Sequence, residues 1–166
     1  MPSFRQQLDR LIASAAPSPR RWVYVHGDQL SDRIGPLAGL DPGRAGVVLV
    51  ESRWHLARRP YHRQKLALLL ANQRHFALEQ ARRGVAVEYI ETDAPLREAL
   101  RPVAVRLGPL AAMEPAEREV RADLAPLLAE DLLDPHAHDG WLTTREQFRR
   151  SVGRDGAFRM DAFYRL

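Results

Sequence analysis

The first residues able to do chemistry follow an apolar segment near the amino terminus. Gly27, Asp28, Gln29 and Leu30 come directly after the β-rich run WVYVH, so a glycine, a carboxylate and an amide lie at one predicted strand end. A carboxylate and an amide can hydrogen-bond a polar heterocycle or a ribityl chain. The same residue types also form turns and helix caps, which explains them equally well. We predict a ligand-binding turn here and keep the simple turn as the alternative.

A second group follows the apolar run at residues 47–50. Glu51, Trp54, His55 and Arg58 combine a carboxylate, cationic donors and an aromatic face. This combination can clamp an anionic or carbonyl-rich planar ligand. The alternative is a solvated loop whose tryptophan packs into the core. We predict that these residues belong to the same ligand-binding site as the first group.

Other kinds of site have little support in the sequence. The phosphate-loop patterns GxGxxG and GxxxxGK[ST], the zinc pattern HExxH and the nucleophile pattern GxSxG are all missing. His136 and His138, with Asp134 and Asp139, could bind a divalent ion, but loop histidines are more often solvated than ligating. Because the chain has no cysteine, it supplies no thiolate ligand for an iron–sulfur cluster. We predict no catalytic residue and no metal site.

Composition indicates one ordinary globular domain. The chain has 166 residues, of which 45% are hydrophobic and 28% are charged. This length and composition are sufficient for a packed core. Its net charge of +4 is too small to identify a nucleic-acid-binding protein, so direct DNA binding by this chain alone is not expected. No secretory segment or membrane-spanning run is recognisable, and a cytoplasmic location is the expectation.

The patterning along the chain alternates between strand and helix. Strands are predicted at 22–26, 47–50, 85–90, 110–113 and 131–133, and helices at 3–15, 61–83, 96–107 and 117–128. Repeated alternation implies parallel strands joined by right-handed crossovers. We predict a Rossmann-like, doubly wound, mostly parallel five-stranded sheet with helices on both faces. Residues 1–19 form a lead-in helix and linker, and residues 20–166 form the α/β domain. In such sheets ligands bind beyond the carboxyl ends of the strands, where both groups of polar residues lie.

Several short segments occur in a specific order. They are GDQLS at 27–31, VVLVE at 47–51, YHRQKL at 61–66, RHF at 74–76, MEPAE at 113–117 and RMDAFYR at 159–165. In this order and spacing they resemble the amino-terminal domain of bacterial photolyase-related proteins, in the iron–sulfur, (6-4) photolyase-like branch of the cryptochrome/photolyase superfamily. The resemblance extends from about residue 22 to the end of the chain.

The resemblance implies a non-catalytic module that holds an antenna chromophore, such as a ribityllumazine, in support of light-dependent DNA repair or photoreception. FAD and the iron–sulfur cluster belong to a helical second domain of the family and are not expected in this chain. Asp28 and its neighbours match the antenna-contacting turn of the family. His55 and Arg58 stand where the family has acidic and tyrosine contacts, which is a departure from its pattern.

A second hypothesis belongs to a different class of function. The domain could instead be a truncated structural piece that docks a helical flavin-binding domain, or associates with itself, without any ligand. Residues 157–166 carry Phe158, Met160, Phe163 and Tyr164, apolar side chains that require cover.

Overall fold

The predicted α/β fold is confirmed. A computed structural model describes residues 2–13, 20–58 and 60–152, so the apolar side chains predicted to need cover at 157–166 lie outside the described ranges. One sheet of five parallel strands has the order β3-β2-β1-β4-β5. The strands are β1 Arg21–Tyr24, β2 Ala45–Ser52, β3 Ala86–Thr92, β4 Leu110–Met113 and β5 Leu133–His136. The helices are α1 Phe4–Ile12, α2 Arg53–Ala57, α3 Arg63–Arg82, α4 Leu96–Leu107, α5 Arg118–Ala129 and α6 Arg145–Val152.

Helices cover both faces of the sheet because side chains alternate along each strand. Val47 and Leu49 point into one apolar cluster, which they share with residues of α1 and α3. Val48 and Val50 point into a second cluster, built with residues of α4 and α5. The whole of β2 is buried, as its continuous apolar run predicts for a central parallel strand. The chain order reverses between β1 and β4, so the crevice expected in a doubly wound sheet lies beside the end of β1.

The helix predicted as a lead-in segment contributes to the core. Helix α1 begins with a capping box in which the Ser3 hydroxyl accepts from the Gln6 backbone N–H and the Gln6 side chain accepts from the Ser3 N–H. Its Leu8 is fully buried in the same cluster as Val47. Removal of α1 would therefore expose apolar core surface.

Two elements differ from the sequence-based prediction. Strand β5 begins at Leu133 rather than Asp131, because Asp131 has φ 55° and closes the turn after α5. Helix α4 continues through Pro102, although a proline at this place favours either a helix start nearby or a break. The missing N–H of this proline removes one hydrogen bond from the helix. The packing of buried Leu100 and Val103 against the sheet offsets that loss.

Helix α3 is the longest helix in the described ranges. It begins at Arg63, where the His62 imidazole accepts from the Gln64 N–H, and it is followed by Gly84 at φ 88°. Neither α3 nor any other helix of the described ranges is long and apolar enough to cross a membrane. The cytoplasmic location stays a prediction.

Residue 46 must be a glycine because the ring of Trp22, on the neighbouring strand, lies against it. It pairs in register with Trp22, and a Cβ at residue 46 would lie 2.5–2.8 Å from three atoms of the Trp22 ring. We expect Gly46→Ala to lower the free energy of unfolding by about 1–2 kcal/mol, since the half-buried ring must move to admit a methyl group. Urea denaturation measures this effect. The same change in a Trp22→Leu background should cost much less, and an equal cost in both backgrounds would contradict the explanation.

Candidate functional site

A cavity of about 90 Å³ lies at the carboxyl ends of β1 and β2. Of the predicted site residues, Gly27, Asp28, Glu51 and His55 line it. Glu117, which follows β4, lines it as well, so the cavity lies next to the point where the chain order reverses. The two predicted groups of residues are therefore brought together at neighbouring strand ends, and the apolar part of the wall comes from Leu56, Leu69, Leu70 and Leu96.

The other predicted site residues have different surroundings. Gln29 is buried, and its amide donates to the backbone carbonyl oxygen of Glu114 at 3.1 Å, which ties the turn after β1 to the end of β4. Leu30 packs against the apolar core. Trp54 is 36% exposed, and the Arg58 guanidinium lies 4.9 Å from the centre of its ring. None of these side chains lines the cavity.

Ser52 positions His55 at the cavity. The buried Ser52 hydroxyl accepts from the backbone N–H of His55 at 3.0 Å and donates to the carbonyl oxygen of Ala94 at 2.7 Å. Ser52 is therefore the N-cap of the short helix α2, a segment that the sequence analysis treated as a loop. The helical turn directs His55 towards the cavity and leaves Trp54 partly exposed.

His26 forms the buried polar centre of the cavity. Its Nδ1 lies 2.9 Å from the Tyr24 hydroxyl, its Nε2 lies 4.0 Å from Oδ1 of Asp28, and its ring centre lies 5.5 Å from that of His55. Burial lowers the pKa of His26, and His55 lowers it further, against opposing effects of Asp28 and Glu117. The imidazole is therefore neutral at physiological pH.

The Glu51 carboxylate accepts hydrogen bonds from side chains of α3 and β3. Arg74 donates to its two carboxylate oxygens at 2.7 and 3.0 Å, and the Tyr89 hydroxyl donates at 2.7 Å. Burial by itself raises the pKa of Glu51, but the hydrogen bonds from Arg74 and Tyr89 outweigh it and hold the pKa below its usual value. Burial and the neighbouring carboxylate raise the pKa of Tyr89. The Glu51 carboxylate thus forms one side of the cavity, and its oxygens already accept hydrogen bonds from Arg74 and Tyr89.

Sequence reasoning missed two residues that define the interior of the cavity. His26 was counted as the last residue of a predicted strand, and Gln73 was included in the predicted helix 61–83 without being singled out. Gln73 does carry a local signal, because it precedes buried Phe76 and Ala77 by three and four residues and so lies on the buried face of α3. A polar residue in that register is a candidate for a buried interaction.

A second cavity of about 370 Å³ lies where α5 crosses the ends of β4 and β5. Its walls are mainly apolar, with Met113, Leu124 and Leu133 among them, and Arg121 and His136 lie on its lining. None of the predicted site residues contributes to it. It lacks buried polar residues such as His26 and Gln73, which line the smaller cavity.

The histidines considered as metal ligands are engaged separately. His136 Nε2 lies 3.1 Å from Asp134, whereas the Asp139 carboxylate accepts from the backbone N–H of Gly35 at 2.9 Å. The ring of His138 contacts Trp141. In the part of the chain that the structure describes, no three histidine, aspartate or glutamate residues gather into a group that could hold a metal ion.

Comparison with known proteins identifies the family. A sequence model of deoxyribodipyrimidine photo-lyase-related proteins matches residues 23–166. The chain belongs to this family. A (6-4) photolyase of Agrobacterium fabrum (strain C58) is similar to the photolyase-related chain, with 35% identity over 71 residues, which span 43% of this chain and 14% of that protein. The resemblance to photolyase-related proteins is thus confirmed for the family.

Proposed function

We propose that this photolyase-related domain binds a planar, polar chromophore at the cavity between the ends of β1 and β2, in support of light-dependent DNA repair or photoreception. The observation that carries the proposal is the convergence of His26, Asp28, His55 and Gln73 on one cavity beside the point of chain reversal. Convergent polar groups on an otherwise apolar wall are typical of sites that orient a small molecule.

The size of the cavity indicates which part of a ligand it takes. Its volume of about 90 Å³ is well below the roughly 300–1,000 Å³ of sites that enclose a whole ligand. The edge of a ring system fits inside, where Asp28 and Gln73 would hold it, while the remainder rests at the open mouth beside His55 and Tyr61. A ribityllumazine or a flavin has this division into a polar ring edge and a separate polar chain. When bound, such a group supplies light absorption, and the residues described here bind and orient it.

The direct test is titration of the full chain with a ribityllumazine, riboflavin and adenine nucleotides, followed by fluorescence and thermal denaturation. We expect one of these probes to bind and to stabilise the chain by about 2.7 kcal/mol at a ligand concentration a hundred times Kd. The hypothesis of a docking domain without a ligand predicts no binding by any of them. Absence of quenching and of a thermal shift with every probe would refute the proposed function.

Substitutions of Gly27 locate the binding at this cavity. The atom nearest to a Cβ at residue 27 is Oε1 of Gln73, at an ordinary contact distance of 3.5 Å, so Gly27→Ala should fold normally and bind with little change. Gly27→Leu would extend a side chain into the cavity, and we expect binding of the same probe to weaken at least about tenfold, equivalent to roughly 1.4 kcal/mol. Circular dichroism and melting temperature serve as folding controls. Equal affinity of the two variants would place the binding site elsewhere.

A further inference from the structure

Positive charge is concentrated in one segment of the chain, although the net charge is only +4. Residues 52–78 include five arginines and one lysine but no aspartate or glutamate. The whole chain has nearly balanced numbers, with 25 basic and 21 acidic residues. The segment forms α2 and most of α3. These two helices therefore create a positive region that the overall charge does not reveal.

Three cations of this region have no acidic partner among the described residues. Arg53 pairs with Asp93, and Arg74 pairs with Glu51, so two of the basic side chains are neutralised. The exposed cations that form no ion pair in the described ranges are Arg58, Arg63 and Lys65. Solvent ions balance their charges, which are therefore available to an anion that binds there.

Two of these cations are held over aromatic rings. The Lys65 ammonium lies 4.4 Å from the centre of the Tyr61 ring, and the Arg58 guanidinium lies 4.9 Å from that of Trp54. Both distances allow a cation–π interaction, which limits the motion of each long side chain. An ordered side chain loses less conformational entropy when it binds a ligand. Arg58 and Lys65 are therefore better prepared to bind an anion than a freely moving surface cation is.

Arg58 and Lys65 also lie beside the smaller cavity. Tyr61 lines that cavity, so the ammonium over its ring lies next to the cavity lining. The backbone N–H of Arg58 donates to the carbonyl oxygen of His55, another lining residue, at 3.3 Å. Lys65 is thus a neighbour of the site that the sequence analysis did not predict.

The lining of this cavity is divided by charge. Its carboxylates belong to the strand ends, because Asp28 follows β1, Glu51 is part of β2 and Glu117 follows β4. The lining residues that come from 53–78 include no carboxylate. A negatively charged part of a ligand is therefore repelled from the strand ends and attracted towards α2 and α3.

We propose that the ligand of this cavity carries a phosphomonoester, or a group of similar size and charge, and that Arg58 and Lys65 bind it beside the cavity. This inference rests on the proposed function and adds the charge of the part that stays outside. A phosphomonoester has a charge of about −1.5 to −2 at neutral pH and three acceptor oxygens. Arginine and lysine both donate to phosphate oxygens. A neutral polar chain would leave both cations to solvent ions.

The experiment compares ligands that differ by a single phosphate. Riboflavin and riboflavin 5′-phosphate, adenosine and adenosine 5′-monophosphate, and an uncharged ribityllumazine are titrated into the full chain. The ring is the same within each pair, so the ratio of the two Kd values isolates the phosphate. We expect the phosphate to strengthen binding at least about tenfold for the ring that the cavity accepts. The ratio should decrease between about 0.01 M and about 0.15 M ionic strength, because salt screens exposed charges.

Variants of the two cations test their role. Arg58→Gln and Lys65→Gln remove the charge and keep a polar side chain. Each should reduce the Kd ratio about threefold, and the double variant should bring it close to one. Arg82→Gln is the control, because Arg82 is an exposed cation on the same helix, 17 residues and about 25 Å beyond Lys65. It lowers the net charge as much as each single substitution and should leave the ratio unchanged. Melting temperatures serve as folding controls.

The outcomes separate the two proposals. Tighter binding of a phosphorylated probe, lost in the double variant and kept in Arg82→Gln, supports the phosphate inference. If uncharged probes bind as tightly as phosphorylated ones, or if the double variant keeps the full ratio, the phosphate inference fails and the proposed function stands. If the wild-type chain binds no probe at all, the proposed function itself fails, and the phosphate inference fails with it.

Discussion

Glu51→Gln is expected to lower the free energy of unfolding by about 2–3 kcal/mol, because it removes a charge that receives three hydrogen bonds. Glu51 is 8% exposed, and its carboxylate is bound by Arg74 and Tyr89. The side chain of Arg74 is 39% exposed, so water screens part of the interaction and the loss falls below that of a fully buried ion pair. Thermal denaturation should show a decrease of roughly 4–12 °C.

The contribution of Glu51 should depend on pH with a defined sign. Because the folded pKa lies below the unfolded value of about 4.3, the stabilisation is present above that pH and is lost as the pH falls through the folded pKa. The difference between wild type and Glu51→Gln should therefore shrink in acid. Arg53→Ala is the control, because it breaks an ion pair with Asp93 in which both side chains are 74% exposed, and it should leave the melting temperature nearly unchanged. A comparable loss in both variants would contradict a special role for Glu51.

The fold could be predicted because its signals are local. The apolar run at 47–50 needs cover on both faces, and Gly84 ends a long helical segment. Because strands and helices alternate and their crossover connections are right-handed, only a few strand orders are possible. Strand β5 was misplaced because the positive φ of Asp131 belongs to a turn, and aspartate carries only a weak signal for that conformation.

The site could be predicted only in part, because its partners come from distant segments. Gly27 and Asp28 were placed correctly at a strand end, beside Glu51 and His55. The occupation of Glu51 depends on Arg74 and Tyr89, which lie 23 and 38 residues further along the chain. No local sequence pattern encodes the contact of Glu51 with Arg74 and Tyr89. The contact forms because α3 and β3 both pack against β2.

Lowering the pH from 7 to 5 should destabilise the chain through His26, at up to about 1.4 kcal/mol per pH unit. Burial holds the folded pKa of His26 below its unfolded value, which is about 6.5, so the unfolded chain takes up the proton first. The contribution of His26 to stability is therefore largest above pH 6.5 and falls as the pH decreases towards the folded pKa. Tyr24, Asp28, His55 and Glu117 are the titratable groups around the ring, and the two carboxylates limit the size of the effect.

Urea denaturation at several pH values measures this dependence. His26→Gln keeps a polar side chain beside Tyr24 and cannot take up a proton, so the slope between pH 7 and 5 should decrease in this variant. His75→Gln is the control, because His75 is exposed on α3 and should leave the slope as it is in the wild type. If His26→Gln shows the wild-type slope, another group must account for the pH dependence.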